Sequence, residues 1–92
     1  RLIDRNPAAH EPRIARAFVR TQQGDWAGAA ADAAEAVRLH PLHPEARLYL
    51  AIARHHRGDP AGARREVQTG AALEPDPRGR TALRDLFRQA TR

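Results

Sequence analysis

The chain repeats itself every 34 residues, and that period constrains its fold more than any other feature. Asn6-Pro7, His40-Pro41 and Glu74-Pro75 close three successive blocks, and Gly24-Asp25 and Gly58-Asp59 sit inside the two complete ones. Laying residues 8–41 over 42–75 without a gap gives 11 identities in 34 positions, among them Arg20/Arg54, Gly24/Gly58, Asp25/Asp59, Gly28/Gly62 and Pro41/Pro75. A fixed period of this length marks a stacked helical solenoid. Its repeats bury a continuous core against their neighbours and leave an extended surface for binding.

Each block divides at its Gly-Asp. Before it lie apolar residues at helical spacing: Ile14, Ala17 and Phe18 in the first block, Leu48, Ala51 and Ile52 in the second. After it lies a second such set: Ala29, Ala33 and Ala36, then Ala63, Val67 and Gly70. A glycine can take the positive φ that ends a helix, and the aspartate after it can cap the next one. Pro60 then falls at a first helical position, where its missing N–H costs nothing, while Pro41 and Pro75 forbid continuation of the second helices. The pattern predicts an all-α chain with helices over about 10–23, 26–39, 44–57, 60–73 and 77–90. Residues 1–7 read as the tail of a preceding helix, 8–41 and 42–75 as repeats, and 76–92 as a capping helix. Short loops make sequence neighbours antiparallel.

Composition decides how such helices can pack. Alanine supplies 20 residues, against eight Leu, three Ile and three Val, so close helix pairs are favoured over one bulky core. All sixteen basic residues are arginine. Because alanine is inflated too, this fits the codon usage of a GC-rich, bacterial genome better than a recognition chemistry. With no cysteine, disulfides and thiolate metal sites are excluded. No apolar run approaches the roughly 20 residues of a membrane span, and cytoplasm is the default compartment.

The blocks resemble the tetratricopeptide repeat family. The matching residues are the small Ala17 and Ala51 within the first helices, Gly24-Asp25-Trp26 and Gly58-Asp59-Pro60 at the turns, Ala29, Ala36, Ala63 and Gly70 in the second helices, and the closing Pro41 and Pro75. The departures are Arg13, Arg47, Arg20 and Arg54, which stand where the family places aromatics, and Pro60, which replaces the turn aromatic. The resemblance implies a right-handed stack of antiparallel helix pairs, a piece of a longer protein, and a concave groove that binds a peptide or partner helix. By that resemblance the groove residues are Ile14, Phe18, Thr21, Gln22, Leu48, Tyr49, Ile52, His55, His56, Ala82, Leu83 and Leu86. The plain alternative is that these side chains pack between helices. The positions matching the family's clamp for a chaperone C-terminal carboxylate carry Ile14, Phe18, Tyr49, Gly79 and Leu83. None is cationic or amide, which argues against that ligand. Self-association is another way to cover an exposed end of the array.

Other chemistry is weakly supported. There is no glycine-rich phosphate loop, HExxH or supported Ser-His-Asp set, so the chain is read as non-catalytic, with no cofactor and no metal. His10, His40 and His43 could be imagined as ligands, but no acid or cysteine stands at ligand spacing; they read as solvated, as do His55 and His56. Arg20 and Asp32, and equivalently Arg54 and Glu66, are predicted to pair across each helical hairpin. Residues 78–92 carry five arginines against Asp85, and Arg80, Arg84 and Arg88 recur every four residues. This is a solvated cap face or, as an alternative, a surface for a polyanion; the near-neutral remainder argues against nucleic acid. A further alternative makes the repeats a substrate-recruiting accessory domain of a larger enzyme.

Overall fold

The computed structural model describes residues 11–92. The five helices described are α1 (Pro12–Gln22), α2 (Trp26–Leu39), α3 (Pro44–His56), α4 (Pro60–Leu73) and α5 (Pro77–Ala90). Each lies within about two residues of its predicted bounds, and the predicted tail at residues 1–7 falls outside the described residues.

The repeated Gly-Asp explains two helix ends at once. Gly24 and Gly58 hold φ of 74° and 89°. That conformation lets the next amide turn back: Asp25 N–H donates to Arg20 O and Asp59 N–H to Arg54 O, each at 2.9 Å, while Gly24 and Gly58 donate to Thr21 O and His55 O. These are the paired bonds of a Schellman stop. The same aspartates then accept from Gly28 N–H (3.0 Å) and Gly62 N–H (2.9 Å) as N-caps of α2 and α4. Gly28 and Gly62 are small for a reason: a Cβ at either would collide with the capping carboxylate. Proline opens α1, α3, α4 and α5.

The helices form hairpins α1–α2 and α3–α4, with α5 laid on the second. The central helix is α3, which packs against all four others. The core is thin and alanine-rich: Ala17, Ala29, Ala33, Ala36, Ala46, Ala51, Ala53 and Ala63 have no accessible surface, and Leu48, Leu50, Ile52, Val67 and Leu83 supply the bulk. Tyr49, half-buried on α3, touches all three apolar clusters.

The predicted ion pairs form, and each is wider than predicted. Asp32, 5% exposed, accepts from Arg20 Nη1 at 3.0 Å and also from Arg16 Nε and Nη2 at 2.9 and 2.7 Å. The hydrogen bonds and charge of Arg16 hold its carboxyl below the usual range, against burial, with help from Arg20. Glu66 lies 3.5 Å from Arg54 Nη1 but accepts a 2.9 Å bond from Arg47 Nη1. Arg47 also donates to Pro41 O, closing the loop between the hairpins. The seam that aromatic packing would fill is therefore held by guanidinium–carboxylate bonds, which replace bulk with direction.

The histidines are not all solvated loop residues. His43 is 3% exposed and caps α3, its Nδ1 accepting from Glu45 N–H at 3.2 Å. Burial, with His40 nearby, pushes its pKa down, which keeps the ring neutral for that role. Among the described residues no group of three metal-ligating side chains comes together.

Candidate functional site

The first helices of the hairpins and α5 share one side of the stack, and a groove of about 390 Å³ runs there. Phe18, Thr21 and Gln22 come from α1, Leu48, Tyr49 and Ile52 from α3, and Leu86, Gln89 and Ala90 from α5; Trp26, the first residue of α2, closes one end. Leu48 and Ile52 are only 4% exposed and form the floor. Phe18 of α1 and Leu86 of α5 are 46% and 52% exposed. No lining side chain is charged, although 29% of the chain's residues are.

Polar groups are few. Thr21 Oγ1 donates back to Ala17 O at 2.8 Å. The Tyr49 ring stands 6.0 Å from that of Phe18, tilted by 58°. Burial, with a smaller contribution from Glu45, pushes its phenol up to about 12, so it stays a neutral donor. Glu45 itself is raised by burial and by the charge of Glu74.

The sequence-derived residues separate into several groups. Phe18, Gln22, Leu48, Tyr49, Ile52 and Leu86 line the groove, as does Thr21. Ile14 lies beneath it, 3% exposed, against Ala36 and Ala46. His55 faces Phe87 edge-on at 6.1 Å and does not line the groove. Leu83 is buried under α3 and α4, and Ala82 belongs instead to a shallow hollow on the outer side of α5 with Pro77, Arg78, Thr81 and Asp85. That hollow has walls from one helix only, so nothing encloses a ligand there. Trp26, Gln89 and Ala90 were not read from sequence. Their place depends on how the end of α5 meets α3.

The arginines predicted as a second surface differ from one another. Arg80 is half-buried, and its Nη1 donates to Glu74 O at 2.9 Å, closing the α4–α5 turn. Arg88 pairs with Asp85 at 3.3 Å. Arg84 is exposed and makes no ion pair among the described residues. Among those residues no helix is long and apolar enough to cross a membrane.

Antiparallel hairpins, each turned at a Gly-Asp and repeated along the chain, define a helical-repeat protein. A family model for the tetratricopeptide repeat matches residues 20–86, most of the chain, and the chain belongs to that family. That family is in general a protein–protein interaction module, and no catalytic domain is found. No curated protein and no solved structure matches the chain.

Proposed function

We propose that the chain is a non-catalytic interaction module that takes a peptide segment or helix of a partner protein into the groove between α1, α3 and α5. The observation that carries this reading is that two largely exposed apolar side chains, Phe18 of α1 and Leu86 of α5, line one groove together with the buried Leu48 and Ile52 of α3. Covering such a surface releases water from apolar area, and because each anchor is already about half-buried, its full covering is worth about 1 kcal/mol. An uncharged lining favours a segment with apolar side chains at its centre, because a charge placed there would lose water and gain no partner.

A displayed-peptide screen tests this reading. Peptides recovered on the parent protein should share uncharged, apolar anchor positions and bind with little dependence on salt. They should lose binding to a Phe18→Asp, Leu86→Asp variant whose melting temperature is unchanged. Peptides that bind parent and variant equally would place recognition elsewhere. Acidic peptides released by moderate salt would point to the arginines of α5 instead.

A further inference from the structure

One chain of contacts crosses all three units of the array at the end of the groove. His56, the last residue of α3, stacks on Trp26 with ring centroids 3.9 Å apart and planes 10° from parallel. Its Nε2 lies 2.7 Å from the carbonyl oxygen of Ala90, the last residue of α5 and 34 residues further along. A carbonyl only accepts, so Nε2 carries the hydrogen. The final carbonyls of a helix have no donor within it, and the Thr91 hydroxyl already serves Phe87 O at 2.8 Å. An imidazole from the preceding unit thus completes the C-terminus of α5, at the end of the helix dipole that favours a donor.

This contact falls on the last turn of α5, where Phe87 and Ala90 pack only partly buried against the main apolar cluster. The one buried residue of the helix is Leu83, near its middle. Beyond it, Leu86, Gln89 and Ala90 form a wall of the groove, and Phe87 meets only the edge of His55 among the rings. The stack on Trp26 also has no counterpart one repeat later, because Pro60 occupies the equivalent turn position. Trp26 and Ala90 both line the groove and His56 does not, so His56 joins two of its lining residues without lining it.

We propose that His56 is a positioning residue for the groove: it fixes the last turn of α5 against Trp26 and α3, and so sets the width offered to a ligand. The proposal rests on the groove being the binding site, but the contact itself can be tested without a ligand.

The experiment compares the parent with His56→Ala and His56→Gln. A glutamine amide can still donate to Ala90 O but cannot reproduce the aromatic stack. Amide exchange followed by NMR should quicken about three- to tenfold at Phe87–Ala90 in His56→Ala, the range one lost hydrogen bond allows, with α3 and α4 unchanged. His56→Gln should restore slow exchange. Trp26 is the chain's single tryptophan, and its emission should change in both variants, because both lose the stack. A peptide recovered on the parent should bind His56→Ala several-fold more weakly, with most of the affinity returning in His56→Gln. Equal exchange in all three proteins would overturn the proposal. So would faster exchange with unchanged peptide affinity. If no peptide binds the parent, the groove reading fails, while the exchange data still decide whether His56 holds α5.

Discussion

The two hairpins share one backbone plan and fill it differently. In α1–α2 the seam is nearly all alanine: Ala17, Ala29, Ala33 and Ala36 have no accessible surface. In α3–α4 the equivalents of Ala33 and Ala36 are Val67 and Gly70, and Leu48, Ile52 and Leu83 gather around them. The carboxylates differ in the same sense. Asp32 is short, 6% exposed at its side chain, and gripped by Arg16 and Arg20 from one helix. Glu66 is longer, 14% exposed at its side chain, and held closely by Arg47 alone. The first hairpin thus relies on close approach and a buried charge, and the second on bulk. The repeat fixes where the helices start and stop, and the side chains then solve the same seam in two ways.

Exchanging the fillings should break that contrast most strongly. Ala33→Val forces a larger side chain into a closed seam and should cost about 2–3 kcal/mol, while Val67→Ala opens a cavity and should cost about 2 kcal/mol. Chemical denaturation of both variants checks this, and a neutral Ala33→Val would mean that the first seam is looser than its burial implies. Next is the charge. Asp32→Ala should cost about 2 kcal/mol, the lower part of the range for charged hydrogen bonds because Arg16 stays largely in solvent. Glu66→Ala should cost about half as much, having one close bond in place of three. Equal losses would remove the distinction between the hairpins.

Smaller effects sharpen it. Gly70→Ala should stabilise by about 0.5–1 kcal/mol, since a Cβ there meets its neighbours no closer than 3.5 Å and a glycine leaves the helix interior. Thermal melts would show that gain, and a loss would mean that α5 needs the approach to α4 that glycine permits. Acid should separate Asp32 and Glu45, whose pKa values shift in opposite directions. Asp32 is lowered, so its contribution is complete above about pH 4 and is lost as pH falls through its depressed value. Glu45 is raised, so its charge costs stability at pH 7, and that cost is gone below about pH 4. Asp32→Asn should therefore be destabilising at pH 7 and near neutral in strong acid. Glu45→Gln should be slightly stabilising at pH 7 and neutral below about pH 4. Melts across pH would read both trends.

The helix plan was legible because its punctuation is local: Gly24, Gly58, Asp25, Asp59 and the prolines each act on their own backbone. The Arg20–Asp32 and Arg54–Glu66 pairs were legible because both partners recur at the repeat distance. Arg16 was not, since its counterpart one repeat later is Leu50 and the comparison carries no charge at that position. In the groove, Phe18, Leu48 and Ile52 could be placed on an inner face, but which were exposed depended on neighbouring helices. The faces of α5 were legible only in part. Leu86 lines the groove, as its spacing of 34 from Ile52 suggests, whereas Leu83 is buried and Ala82 lies outside the groove. Which side of α5 meets α3 is set by how the two helices dock, and Gln89 and Ala90 reach the groove through that docking.

The most direct test of the central claim is an NMR map of the amides that move when a peptide recovered by the screen is added to the parent protein. The account predicts shifts centred on Phe18, Gln22, Leu48, Tyr49, Ile52 and Leu86, with the outer surface of α4 around Arg64 and Arg65 silent. Shifts gathered on Arg78, Arg84 and the outer side of α5, with the groove silent, would contradict it.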